Sequence, residues 1–431
     1  MIRVGLIGCG TVGSGVVELL QNNEEIISKR TGKVIKLKKV LDKDLEKCQA
    51  LGLTADMLAK DFNEIINDEE IDIVVELIGG IEPALTFIIE AMEKGKHVVT
   101  ANKDLIAVKG QQIFETAEKN QVDFYFEASV AGGIPIIYPM KQSLAANEIK
   151  EVIGILNGTT NYILTKMTQE GLDFADVLKE AQELGYAEAD PTADVEGLDA
   201  ARKIAILSSI AFNSRITLDD VYVEGITSIT ASDIKYADEL GYVIKLLAIA
   251  KQEDGLIQTK VYPAFLPKDH PLAVVNDVFN AVFVQGDAVG EIMHYGRGAG
   301  KMPTASAVVG DIIDIGRNIV SGFNGRIACT CFDEKEVFDI KEMLAQFYLR
   351  MTVKDRPGVL ASIAGVFGNN NVSLATVLQK ENTADMAEMA ELILITHQVK
   401  EQDLRDSLAI IKDMSIVGSI DNVIRLEGIN R

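Results

Sequence analysis

Residues 2–13 read IRVGLIGCGTVG, an aliphatic run that breaks into Gly8, Gly10 and Gly13. Ile2 to Ile7 predicts a short buried strand, and the text after Gly13, SGVVELLQNNEEIISKR, predicts a helix. A G-x-G-x-x-G spacing on its own is a weak signal. A strand before it and a helix after it give it meaning. In that setting Gly8 permits a tight turn, Gly10 lets backbone approach a pyrophosphate, and Gly13 lets the helix lie close on the strand. Thr11 and Val12 open the helix, whose free N–H groups face the phosphates. These five residues are the candidate cofactor contacts; the bland alternative is an ordinary strand-to-helix turn.

Working outward, further strands are predicted at 34–42 (VIKLKKVLD), 71–79 (IDIVVELIG), 97–102 (HVVTAN) and 122–130 (VDFYFEASV). Helical text alternates with them, as at 82–95 and 111–120. That alternation predicts a doubly wound parallel sheet, a Rossmann dinucleotide-binding domain over residues 1–130. Ligands bind at the carboxyl ends of such strands. Gly79-Gly80 and Ala101-Asn102-Lys103 fall there. Lys103 is either a solvated loop residue or a cation in the cleft. The second strand ends at Asp42-Lys43. An acid there suits the ribose hydroxyl of NAD, a cation the 2′-phosphate of NADP, so the cofactor reads as NADP or NAD.

The chemistry is densest at 185–203, GYAEADPTADVEGLDAARK. Turn residues place the acids before Asp199 on a loop. An apolar helix is predicted from about Leu198, with Asp199 and Lys203 at i and i+4 on one face. Either this is a surface acidic loop with an ion pair worth only ~0.3–0.5 kcal/mol, or the carboxylates hold a cationic small molecule beside a proton-transferring lysine. At 127–135, EASVAGGIP, the Glu127 carboxylate and the carbonyls of Val130, Gly132 and Ile134 suit a hard monovalent cation, or the segment is a glycine-rich hinge. Asn157-Gly-Thr-Thr160 opens another helix with small polar residues suited to substrate or nicotinamide.

Residues 220–295 predict strands at 221–226, 260–267 and 281–287 with a helix at 239–252. Glycine-rich 286–300, GDAVGEIMHYGRGAG, predicts backbone close to a ligand. The apolar helix at 304–319 is expected to return to the first domain. Residues 131–303 thus form an α+β substrate-binding and dimerisation domain, 321–345 a charged linker, and 346–431 a βαββαβ, ferredoxin-like unit.

The chain has 431 residues, 48% hydrophobic and 25% charged, with net charge −22. The negative charge argues against nucleic acid and anionic membrane partners. Four cysteines, two of them a C-x-C, suggest neither a disulfide framework nor a zinc site. With no leader and no run of 18 apolar residues, a cytoplasmic protein is expected.

The GCGTVG start, TANK (100–103), EASVAGGIP, NGTTNYIL (157–164), the 185–203 stretch and YGRGAG resemble homoserine dehydrogenase, in order and at matching spacing. The last ~85 residues resemble an ACT domain, with its D-R-P-G-V-L turn at Asp355 to Leu360. The resemblance implies NAD(P)-dependent interconversion of L-aspartate 4-semialdehyde and L-homoserine, in threonine, methionine and isoleucine biosynthesis. It implies Lys203 as proton donor with Lys103 assisting, and Glu188, Asp194 and Asp199 as substrate ligands. Gly185 and Gly300 would approach the cofactor. A sodium ion is implied at Glu127, Val130, Gly132 and Ile134. An amino-acid effector is implied at the ACT unit, in a homodimer or homotetramer. One departure concerns Lys43, which stands where the family often has Arg; lysine meets a phosphate as a point charge, without the bidentate fork.

Two rivals carry different signatures. Another ACT-tailed dehydrogenase, acting on 2-hydroxy acids, would use a catalytic histidine, yet His97, His270, His294 and His397 lie in no dense polar motif. A non-catalytic amino-acid sensor would have lost the glycine fingerprint or Lys203, and both are intact.

Overall fold

A computed structural model describes residues 1–326, 328–381 and 388–428. The first part is a five-stranded parallel sheet. Its strands are β1 (Ile2–Ile7), β2 (Ile35–Leu41), β3 (Ile73–Glu76), β4 (His97–Thr100) and β5 (Phe124–Tyr125), in the order β2-β1-β3-β4-β5. Val and Ile dominate these strands because helices cover both faces. Two of those helices matter for function: α1 (Thr11–Asn22) follows β1, and α2 (Lys103–Lys119) follows β4. The last strand is shorter than the sequence suggests. After Tyr125 the chain turns through a 3₁₀ segment, Glu127–Ser129, because it must leave the sheet for the second part of the molecule.

That second part contains β6 (Ile149–Ile155), α3 (Gly158–Glu170) and α4 (Leu198–Ala211), then β7 (Tyr242–Glu253), β8 (Leu256–Pro267), β9 (Phe279–Gly286) and β10 (Gly290–Arg297). The helix expected at 239–252 is wrong: Tyr242–Glu253 is a strand, paired with β6 on one side and β8 on the other. A central strand buried on both faces reads as a largely apolar run, here interrupted by Lys245, which periodicity cannot tell from a buried helix. The strand expected at 221–226 shrinks to Tyr222–Val223, paired with β8. Glycine-rich 286–300 is mainly the edge strand β10, and only its last three residues form the turn into the next helix.

Helix α5 (Lys301–Ser321) lies against α1. Val16, Val17 and Leu20 share one buried cluster with Ala305, Val308, Ile312 and Ile315. Each buried Val, Leu or Ile among them contributes about 1.5–3 kcal/mol relative to exposure. Residues 328–338 run along the second part, bridging Ser214 to Asp333 and Ile257 to Val337.

The C-terminal unit is β11 (Leu344–Lys354), α6 (Val359–Asn369), β12 (Leu374–Glu381), β13 (Met389–Thr396), α7 (Glu401–Lys412) and β14 (Val417–Leu426), the βαββαβ order. Its sheet does not stand apart. β14 pairs in parallel with β8 through Arg425↔Ala264 and Leu426↔Phe265. One continuous path therefore runs β10-β9-β6-β7-β8-β14-β11-β13-β12. Across the join, Phe265 and Tyr348 stack with ring centroids 4.5 Å apart. Fully buried Asp233 accepts from Arg350 Nε and Asn422 Nδ2, each at 2.8 Å.

Candidate active site

Asp199 and Lys203 sit one turn apart at the start of α4, whose N-cap, Gly197, has a left-handed φ of 81°. Lys203 Nζ donates to Asp199 Oδ2 at 2.6 Å and to the Leu156 carbonyl at 2.8 Å. An ammonium has three donors. The third N–H of Lys203 finds no acceptor among the described residues. Lys103, the first residue of α2, lies 3.3 Å from Asp199 Oδ1. A second, chain-distant ion pair lies beside the two lysines: Arg202 Nε is 2.7 Å from Asp104 Oδ1. Lys103-Asp104 and Arg202-Lys203 thus cross-pair, one neighbour binding the helices while the lysines meet over Asp199.

Asp194 lies on a short helix, Thr192–Val195, rather than on open loop. Asn157 joins it to Asp199. Its Nδ2 donates to Asp194 Oδ1 at 2.7 Å and to Asp199 Oδ2 at 2.9 Å. Its Oδ1 caps α3 by accepting from the Thr160 N–H at 2.8 Å. Asn157 is the bridge that the residue types did not reveal. Its place at the head of the NGTT turn was the only available signal.

The two aspartates differ electrically. Burial pushes the Asp199 carboxyl up, but the ammonium groups of Lys203 and Lys103 outweigh it and hold it at about 2. Burial raises Asp194 above the ordinary carboxylate range, against the Asn157 amide and with help from the Asp199 charge. Glu188 stands apart. It is exposed, its carbonyl accepts from Gln182 Nε2 at 3.1 Å, and its carboxylate makes no ion pair with this cluster. Gly185 is exposed as well, with φ of 75°.

The dinucleotide turn is built as the glycines require. Gly8 has φ of 94°, a conformation costly to any other residue. A Cβ on Gly13 would lie 2.0 Å from the Gly8 carbonyl oxygen, so helix and strand approach only because none is there. A Cβ on Gly10 would meet nothing within 4 Å, leaving an open cradle where a pyrophosphate fits. Thr11 and Val12 are the first two residues of α1. Asp42 faces this turn: Oδ2 accepts from the Cys9 N–H, and Oδ1 from the Asp44 N–H at 2.7 Å. Lys43 beside it is exposed. Gly300, φ 122°, caps α5.

The Glu127 carboxylate is buried and accepts from the N–H groups of Ile136, Ile137 and Tyr138 at 2.6, 2.9 and 2.6 Å. Burial lifts its carboxyl above the usual range, the three amides opposing. The carbonyls of Val130, Gly132 and Ile134 accept no hydrogen bond among the described residues. No group of three His, Cys, Asp or Glu suited to a metal occurs among them either, so a cation here would rest chiefly on carbonyl oxygens. The loop is pressed on the 297–300 turn: Gly133 N–H donates to the Arg297 carbonyl at 3.1 Å.

A parallel nucleotide-binding sheet, paired lysines over an aspartate and a ferredoxin-like tail define an NAD-binding oxidoreductase carrying an ACT domain. Comparison with known proteins agrees on the nucleotide-binding and ACT domains. Residues 8–127 match the homoserine dehydrogenase NAD-binding domain, 135–313 the homoserine dehydrogenase family and 347–415 the ACT domain. The chain is 48% identical over 434 residues to a homoserine dehydrogenase of Synechocystis, covering 99% of both. A crystal structure of a homoserine dehydrogenase from Thiobacillus denitrificans superposes with a TM-score of 0.93 at 42% identity, covering 99% of this chain and 98% of that one. A hyperthermophilic archaeal homoserine dehydrogenase mutant in complex with NADPH gives 0.63 at 28% identity, over 73% of this chain and 97% of its own. The chain belongs to the homoserine dehydrogenase family. Both rival readings fall with that result. No helix among the described residues is long and apolar enough to cross a membrane.

Proposed function

We propose that the chain interconverts L-aspartate 4-semialdehyde and L-homoserine, with Lys203 as the proton donor and Lys103 assisting. The observation that carries this is the Lys203 ammonium, fixed by Asp199 and the Leu156 carbonyl with one N–H uncommitted. A bound nicotinamide dinucleotide supplies or accepts the hydride. Negative charge on the substrate oxygen is met by the Lys203 ammonium, which is pre-placed and gives up its proton there. Lys103 adds a second positive charge at the same aspartate and helps Asp199 stay ionised.

The substrate ammonium goes to the acidic side of the cluster. Asp199 is already committed to two lysines and Asn157, whereas Asp194 makes no close ion pair among the described residues and feels Lys203 only at longer range. Asp194 is therefore the first carboxylate for the ammonium, and Glu188 reaches it from the exposed 185–190 segment. Gly8, Gly10, Thr11, Val12 and Gly13 hold the pyrophosphate, with Gly185 and Gly300 against the rest of the cofactor. Lys43 meets the 2′-phosphate of NADP, and Asp42 favours the hydroxyl of NAD, so both cofactors are used. Glu127 and the carbonyls of Val130, Gly132 and Ile134 fit a sodium ion, which would tie the 130–134 loop to the 297–300 turn.

The turn at 355–360 borders a cavity of about 430 Å³, lined by Asp355, Arg356, Gly358 and Gln379 among others, and takes a small amino acid such as threonine. Edge strand β10 exposes Met293 and Tyr295, which suits a homodimer or homotetramer.

A direct assay of homoserine with NAD and NADP tests the reading. Lys203→Ala should lower kcat by roughly 10²–10⁴ in a folded protein. Lys43→Ala should raise KM for NADP and spare NAD. Exchange of sodium for a bulky organic cation should slow turnover. Near-normal turnover by the Lys203 variant would sink the assignment.

A further inference from the structure

Between the two substrate aspartates the chain runs Val195-Glu196-Gly197-Leu198, and this turn rests on a second segment. The Val195 carbonyl accepts from the Ile226 N–H at 2.8 Å. A Cβ on Gly225 would lie 2.4 Å from the Val195 oxygen and 2.6 Å from Glu196 Cα. A Cβ on Gly197 would lie 3.3 Å from the Glu224 carbonyl oxygen. Segment 224–226 is therefore the seat of the turn that spaces Asp194 from Asp199.

The seat is clamped from the far end of the chain. The Glu224 N–H donates to the Val261 carbonyl of β8 at 2.8 Å. Its carboxylate receives both Nη groups of Arg425, at 2.7 and 3.1 Å. Arg425 lies on β14, is 3% exposed, and also donates to Glu401 at 3.0 and 2.7 Å. The rings of Tyr222, Tyr262 and Phe347 surround its guanidinium. A guanidinium stays charged in a protein and its fork fixes direction. A buried pair of this kind adds little net stability compared with packed apolar groups, so its contribution is geometric.

We propose that Arg425, through Glu224, is a positioning residue for the substrate aspartates, so that the ACT unit sets the geometry of the amino-alcohol site. This rests on the reading of Asp194 and Asp199 as substrate ligands. Arg425 has two carboxylate partners, and only one of them touches the catalytic seat. Glu401, at the start of α7, belongs wholly to the C-terminal unit.

That asymmetry supplies the test, made on the full chain. Glu224→Gln should raise KM for homoserine roughly 5–50-fold. kcat should change less than about threefold, and the NADPH Kd, read by dihydronicotinamide fluorescence, less than about twofold. Arg425→Lys keeps the charge, loses the fork, and should move KM in the same direction. Glu401→Gln should lower the thermal midpoint and leave KM at the wild-type value. If Glu224→Gln and Arg425→Lys bind homoserine like wild type, or if Glu401→Gln raises KM equally, the positioning role is overturned. Wild-type protein that does not oxidise homoserine at all would instead overturn the reading beneath it, so the two failures are distinct. Should one variant not fold, the other carries the same comparison.

Discussion

Asp199 shows how much one side chain does in this site. It aims Lys203, gathers Lys103 and shares the Asn157 amide with Asp194. Its charge is stabilised only in the folded chain, where the carboxyl is held at about 2 despite burial. In the unfolded chain the group has its ordinary value of ~3.9. A depressed carboxyl contributes stability that is complete above the unfolded value and is lost as pH falls toward the folded one. The stability gap between wild type and Asp199→Asn should therefore be flat from about pH 5 to 8 and narrow below about pH 4. Urea unfolding of both proteins at several pH values checks this. A gap that stays constant into acid would mean that packing, not the ion pairs, sets the cost. The same variant should weaken homoserine binding by about 1.5–3 kcal/mol, visible in KM. Residue types at i and i+4 made Asp199 and Lys203 legible. They did not reveal that Glu188 stands exposed and apart from the buried pair, because exposure is a property of the folded loop. Asn157 was hidden for the converse reason: an amide reads as a helix cap until two distant carboxylates arrive beside it.

Elements were legible where flanking turns fixed their ends. Gly8 and Gly13 announced a strand and a helix, and Leu198 opened α4 as its apolar text required. β7 was not legible, since YVIKLLAIA is apolar apart from Lys245 and only its neighbours β6 and β8 make it a strand. α5 illustrates packing that sequence hints at without defining. A Cβ on Gly15 of α1 would lie 2.8 Å from both Ala305 Cβ and the Lys301 carbonyl oxygen. The two helices touch at that glycine, and Lys301 Nζ pairs with Glu18 at 2.5 Å alongside. Gly15→Val should push α5 away from α1 at a cost of about 1–3 kcal/mol. Because α1 also presents the pyrophosphate turn, NADPH affinity should fall together with the thermal midpoint. Unchanged cofactor affinity in a destabilised variant would separate the helix contact from the binding turn.

At the scale of the molecule, the C-terminal unit reads in sequence as a tail on a charged connection, and the hydrogen bonding contradicts that independence. Every candidate catalytic, substrate, cofactor and cation residue precedes residue 304, so a chain ended near residue 340 keeps the full chemistry. It also loses β14, which pairs directly with β8. Tyr262 and Phe265, both fully buried, would then face water along a bare strand edge. Exposed apolar edges of this kind invite pairing with other chains. Glu224 would lose the Arg425 fork that steadies the seat beneath Val195. The truncated protein should therefore bind NADPH and turn over homoserine, with a lowered thermal midpoint, concentration-dependent aggregation, a raised KM for homoserine and no response to threonine. Calorimetry, light scattering and steady-state kinetics on the two chains decide the matter. Wild-type stability and KM after the cut would mean that the join between the sheets is a contact without energetic weight. Loss of cofactor binding would mean that the C-terminal strands support the first domain too, although among the described residues they pair only with the second.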